Sequence, residues 1–169
     1  MVLKMTKRLK NKVKDTLDQF LFSQIESSPE YQEWVQDYEL PTYITYNLSK
    51  TLRDYQEVAI KHFIWLFEQD PDKAKHLLFN LATGTGKTLT MAAAVLYLYQ
   101  KGYRNFVFLV HQNQIKDQAI KNFTDYKFEK YLFNPKGVKL NGRSIRINAI
   151  DRFQDAQKDA INFMFFSTA

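Results

Sequence analysis

Along the chain, apolar residues alternate between helical spacing and short unbroken runs. Leu9, Val13, Leu17, Phe20 and Leu21 recur on one side of a predicted amphipathic helix. Lys7, Arg8, Lys10, Lys12 and Lys14 crowd its other side, as a solvated face or a contact for a polyanion. Ser27, Ser28 and Pro29 end it, and a shorter helix is expected over residues 30–38. Pro41 opens a linker over residues 43–49, rich in tyrosine and β-branched side chains. A helix begins near Leu52, with Leu52, Tyr55, Ala59, Phe63, Leu66 and Phe67 as its buried stripe and Asp70-Pro71-Asp72 as its stop.

Leu77-Leu78-Phe79 then reads as a buried strand, followed by a glycine-bearing loop and a helix over residues 89–100. Lys101-Gly102 is a basic residue and then glycine, the expected helix end. Residues 106–110 are apolar throughout and predict a strand covered on both faces. A helix follows over residues 112–123. Asn141-Gly142 between residues 138–140 and 144–147 is a hairpin signal. A polar stretch over 151–159, helical or loop-like, leads to a last buried strand over 161–166. Strands alternating with helices predict an α/β fold, a parallel sheet flanked by helices with right-handed crossovers.

Composition narrows the class. With 169 residues, 45% hydrophobic and 15% aromatic, the chain can bury one core. The absence of cysteine excludes disulfides, thiolate zinc sites and cysteine nucleophiles, and fits a reducing cytosol. No segment is apolar enough to span a bilayer, and residues 1–25 lack the form of a secretory signal. A net charge of +6 is compatible with a phosphate-bearing partner and with an ordinary soluble domain.

The richest chemistry lies in Ala82-Thr83-Gly84-Thr85-Gly86-Lys87-Thr88. A tight loop entering a helix can aim successive backbone N–H groups at a row of phosphate oxygens. Gly84 and Gly86 permit the dihedrals this needs, and the amides from Thr83 through Thr85 to Thr88 form the pocket. Lys87 is placed for the β- and γ-phosphates and Thr88 for Mg²⁺. The full Walker A pattern asks for glycine where Leu81 stands.

With that departure, residues 81–88 resemble motif I of superfamily 2 helicases, and Leu52-Arg53-Asp54-Tyr55-Gln56 resembles their Leu-Arg-x-Tyr-Gln segment. The resemblance places Gln56 on the adenine edge, where an amide offers both donor and acceptor, and Arg53 beside the nucleotide. His76-Leu77-Leu78-Phe79-Asn80, residues 96–106, Lys130-Tyr131-Leu132-Phe133 and Phe165-Phe166-Ser167-Thr168 are similar to the Res subunit of type III restriction enzymes. The likeness covers roughly residues 40–169 and implies a RecA-like P-loop lobe. It implies ATP and Mg²⁺ as cofactors, double-stranded DNA and a methyltransferase subunit as partners, a nuclease domain further on, and a prokaryotic cytoplasm. The loop after residues 106–110 (motif Ia) would bring His111 and Gln112 to DNA phosphates.

Hydrolysis needs an acidic Mg²⁺ ligand and a group that orients water. The family takes these from an Asp-Glu-x-His motif, and this sequence contains no Asp-Glu pair. The expectation is therefore a helical extension over residues 1–48 and an incomplete lobe over 49–169, which binds nucleotide without turning it over. The alternatives are another superfamily 2 motor, such as a type I restriction subunit or repair helicase, a non-catalytic nucleotide- or DNA-binding module, and a small P-loop kinase. An unpaired sheet edge would also favour oligomerisation.

Overall fold

The computed structural model describes residues 17–169. The basic face at residues 7–14 lies outside them, as do Leu9 and Val13. Helix α1 (Leu17–Glu26) stops before Ser27, and α2 (Pro29–Asp37) follows with Ser28 as its cap. The Ser28 hydroxyl accepts from the Tyr31 amide at 3.2 Å and donates to the Glu30 carboxylate at 2.6 Å, which holds the Glu30 pKa below its ordinary value. Both helices lie against α4 (Asp54–Gln69) through aromatic rings. Tyr31 sits 5.7 Å from Trp65 and 5.1 Å from His62, and His62 Nε2 is 2.6 Å from Glu26 Oε1. Burial pushes the Tyr31 hydroxyl pKa up to about 12.

The stretch expected as a linker is packed structure. It forms the short helix α3 (Thr42–Thr45), Ile44 is fully buried, and Leu48 bridges to Phe133. Asn47, also fully buried, donates its amide to the Lys139 carbonyl at 2.8 Å and accepts the Lys139 N–H at 2.7 Å. One side chain thereby satisfies both backbone groups of a strand residue, as a neighbouring strand would. In α4 the buried stripe is Gln56, Ile60, Ile64 and Phe67, rotated from the expected one, and Tyr55 is left 39% exposed. A polar residue takes the inward position because its partners lie on the next segment.

Helix α5 (Lys87–Gln100) packs on α4 and buries Leu89, Ala92, Ala93, Leu96 and Tyr97. Gly102, at φ +103°, ends it as expected. Glu68 of α4 accepts from the Tyr97 hydroxyl and from Lys101 Nζ, each at 2.9 Å. The Lys101 hydrogen bond is the main cause of the lowered Glu68 pKa, while burial raises that of Tyr97.

The sheet contains β1 (Asn105–Val110), β2 (Val138–Leu140), β3 (Arg143–Ala149) and β4 (Ala160–Ser167), in the order β1-β4-β3-β2. Strands β1 and β3 run parallel to β4, and β2 is antiparallel to β3 through a turn with Asn141 at φ +52° and Gly142 at φ +74°. Helix α6 (Asn113–Thr124) crosses the sheet, its Phe123 ring 4.9 Å from Phe163 and 5.5 Å from Phe108. Fully buried Asn162 ties the turn region after β3 to β4: it donates to the Gln157 carbonyl at 2.9 Å and to Asn105 Oδ1 at 3.1 Å. The architecture is the α/β class expected, a mostly parallel RecA-like sheet with helices.

Two strand expectations are corrected. Leu77-Leu78-Phe79 forms no strand and pairs with none among the described residues, and Leu78 is 73% exposed. An apolar run specifies tolerance of burial, whereas a strand also requires a neighbour to complete its backbone bonds. Strand β1 is covered on one face only. Phe106 and Phe108 join the core, while Val107 and Leu109 are 51% and 70% exposed. On β4, Phe166 stands opposite Leu109 and is likewise exposed. Full coverage needs a second layer of elements, and the described helices join the core on the Phe106 side.

Glu68→Gln should lower the thermal unfolding midpoint near pH 7 by about 1–3 °C. Because the folded pKa is depressed, the wild-type advantage is present above the ordinary value of 4.5 and is lost as pH falls through the folded value. Melting curves taken from neutral pH downward check this; a gap that does not narrow as pH falls below 4.5 would contradict it.

Candidate nucleotide-binding site

The loop between Leu77-Leu78-Phe79 and α5 is shaped by two glycines. Gly84 has φ +83° and Gly86 has φ +78°, a region that costs other residues about 1–2 kcal/mol. Gly86 is the residue at which α5 begins, and its carbonyl already accepts from the Leu89 and Thr90 amides. The first amides of a helix have no carbonyl one turn earlier to bond. Among the described residues, the N–H groups of Gly86, Lys87 and Thr88 accordingly meet no acceptor. They stand in succession at the positive end of a helix dipole fourteen residues long.

The loop's other side chains fold back on it. Thr85 Oγ1 donates to the Ala82 carbonyl at 2.6 Å. Lys87 Nζ donates to the Leu81 carbonyl at 2.6 Å and to the Ala82 carbonyl at 3.0 Å. The ammonium thus caps the loop's own oxygens, a hold that an anion with several negative oxygens can replace. Thr83 and Gly84 are exposed, and Thr88 is partly buried at the helix start.

Helix α4 presents its first turn to this loop. Gln56 is 2% exposed; its Nε2 donates to the carbonyls of Thr85 at 3.0 Å and Gly86 at 3.1 Å. Its Oε1 accepts the Arg53 N–H at 2.9 Å. The approach is so close that a Cβ on Gly86 would lie 2.6 Å from Gln56 Nε2. Arg53 caps α4 from an exposed position and directs Nη1 to the Tyr55 hydroxyl at 3.1 Å. The Tyr55 hydroxyl donates in turn to the Thr85 carbonyl at 2.8 Å.

The structure therefore brings Arg53, Gln56, Thr85 and Gly86 together, with Lys87 turned onto Leu81 and Ala82. His111 and Gln112 stand apart, exposed at the end of β1, where Gln112 caps α6. Tyr55 was missed as a site residue, because helical spacing assigned its ring to the core. Its place in the Leu-Arg-x-Tyr-Gln segment, beside two residues expected at the site, was the available signal.

The residues present suit a phosphate chain: three successive amides with no acceptor among the described residues, two glycines at positive φ, and one ammonium. For a divalent cation they offer the Thr88 hydroxyl. No group of three or more His, Asp or Glu side chains able to hold a metal occurs among the described residues.

A mostly parallel sheet flanked by helices is the class of an incomplete RecA-like lobe. Comparison with known proteins narrows the class further. The family model for the type III restriction enzyme res subunit matches residues 49–169. The chain is also 36% identical over 171 residues to the probable type III restriction-modification enzyme HindVIP Res subunit of Haemophilus influenzae (strain ATCC 51907 / DSM 11121 / KW20 / Rd). That alignment covers 94% of this chain and 33% of the relative, so the chain spans about a third of the relative's length. No solved structure matches. The chain belongs to the type III restriction enzyme Res subunit family.

Gly86→Ala adds a short contact to dihedral strain, while Gly84→Ala adds the strain alone, since nothing lies within 4 Å of its Cβ. Both should destabilise, by about 1–2 kcal/mol for Gly84→Ala and by more for Gly86→Ala. Denaturant unfolding of the two variants checks the order; equal losses would contradict the close approach of Gln56.

Proposed function

We propose that this chain carries the ATP-binding segment of an ATP-dependent DNA translocase of the type III restriction kind. The observation that carries the reading is the run of unpartnered amides at Gly86, Lys87 and Thr88 beside the Lys87 ammonium. In the bound state the amides from Thr83 to Thr88 would donate to the phosphate oxygens, the Thr85 amide giving up its bond to the Ala82 carbonyl. Lys87 would exchange the Leu81 and Ala82 carbonyls for the β- and γ-phosphates, and the Thr88 hydroxyl is the group this chain would offer Mg²⁺. When bound, Mg²⁺ supplies charge neutralisation across the phosphates. Gln56 and Arg53 border the base side. For Gln56 to read adenine, it exchanges one of the bonds it now makes to Thr85, Gly86 or Arg53.

Binding and turnover separate in this reading. Asp155 is paired with Arg152 at 3.2 Å, and Asp151 and Asp159 are exposed on the polar stretch between β3 and β4. Residues 17–169 are read as holding nucleotide without turning it over, on the ground that the sequence carries no Asp-Glu pair to supply the acidic Mg²⁺ ligand. His111 and Gln112 offer an imidazole and an amide to DNA phosphates without reading sequence. Residues 49–169 form the lobe, and the described residues before them, 17–48, its helical extension. In the whole protein, double-stranded DNA and a modification methyltransferase subunit are the partners, an endonuclease completes the restriction activity, and the setting is the prokaryotic cytoplasm. The match to a Res subunit supports the DNA and modification-subunit partners.

Lys87→Ala should weaken binding of a fluorescent ATP analogue at least about tenfold, as expected for loss of a charge-assisted contact to phosphate, with little change in unfolding midpoint. Fluorescence titration checks it; equal affinity of the variant and its parent would remove the phosphate site.

A further inference from the structure

The donors that α4 aims at the glycine loop do not touch the phosphate positions. They touch the carbonyls of two successive peptide units, Thr85–Gly86 and Gly86–Lys87, and converge on the first. The Thr85 carbonyl accepts from the Tyr55 hydroxyl at 2.8 Å and from Gln56 Nε2 at 3.0 Å. That carbonyl and the Gly86 N–H belong to the same trans peptide, since the chain has no cis bonds among the described residues. In a planar trans peptide the two groups point in opposite directions. Fixing the carbonyl toward α4 therefore turns the Gly86 N–H away from α4, to the side where the Lys87 and Thr88 amides are free. A glycine at this position resists reorientation less than any other residue, so the orientation needs an external hold.

Gln56 supplies that hold incompletely. Its Nε2 is shared between the Thr85 and Gly86 carbonyls. Tyr55 makes the shorter bond and gives it to Thr85 alone. Arg53 Nη1 donates to the Tyr55 oxygen at 3.1 Å, which leaves the phenolic hydrogen to point at Thr85. The ring is 39% exposed and makes no aromatic contact among the described residues, so filling the core is not its task.

We infer that Tyr55 is a positioning residue for the phosphate loop: its hydroxyl, oriented by Arg53, anchors the Thr85 carbonyl outside the cradle and so aims the Gly86 amide into it. The inference rests on the reading of residues 83–88 as a phosphate cradle. It predicts that Tyr55 acts on the triphosphate and not on the base.

The test compares the purified protein with Tyr55→Phe, Arg53→Met and Lys87→Ala, using tripolyphosphate and ATP as probes by calorimetry. Tyr55→Phe should keep the parental unfolding midpoint. It should weaken both probes by the same factor, about three- to tenfold for loss of one hydrogen bond. The Gly86 amide resonance should move in the ligand-free variant, a signature that a purely structural role would not give. Arg53→Met should weaken tripolyphosphate in the same direction by a smaller factor. If Tyr55→Phe binds tripolyphosphate like the parent while Lys87→Ala has lost it, the inference fails and the phosphate site stands. If Tyr55→Phe weakens ATP alone, Tyr55 acts at the base and the inference fails. If Lys87→Ala binds like the parent, the phosphate site falls and the inference with it.

Discussion

Three peptide N–H groups at the start of α5 meet no carbonyl among the described residues, and much of the surrounding architecture is arranged around them. A helix start leaves such groups in water or against a ligand. Here the positive φ of Gly84 and Gly86 bends the chain so that the amides follow one another round a tight turn. Lys87 occupies the loop carbonyls and leaves the amides alone. The first turn of α4 holds the loop from behind. Each contact works on the backbone and not on side chains, which is why the segment tolerates leucine at position 81 but has little room for a Cβ at position 86.

That hold depends on how α4 is fixed to the rest of the molecule. Ile60, Ile64 and Phe67 lie in the same core cluster as Leu96 and Tyr97 of α5. Glu68 joins the far ends of the two helices through Tyr97 and Lys101. The loop is thus clamped between two helices that are packed along their length and bonded at the opposite end. On the outer side of α4, the rings of Tyr31 and Trp34 meet Trp65, so the helical extension braces the helix that braces the loop. The sheet meets this core by one face and leaves Val107, Leu109 and Phe166 open on the other.

Much of this was legible in the sequence wherever a local rule decided the outcome. Gly102 ended a helix, Asn141-Gly142 turned a hairpin, and the glycine loop opened α5, because each requires only backbone conformations that few residues adopt. Helix and strand positions came from periodicity in the same way. What stayed hidden depended on partners distant in the chain. Asn47 reads as a linker residue until Lys139, 92 positions on, supplies its bonds. Leu77-Leu78-Phe79 reads as a strand because composition carries no record of a missing neighbour. Tyr55 was misplaced for the same reason: spacing put its ring in the core, yet the loop some 30 residues later offers a carbonyl to its hydroxyl. Gln56, expected beside the nucleotide, instead turns its amide onto the same loop's carbonyls.

The orientation of the amides can be observed directly in a 20.0 kDa protein by following backbone ¹H–¹⁵N resonances while tripolyphosphate is added. A phosphate cradle predicts that the largest shifts fall on Gly86, Lys87 and Thr88 and saturate together. Shifts that concentrate elsewhere, or that leave these three amides unmoved at saturation, would contradict it.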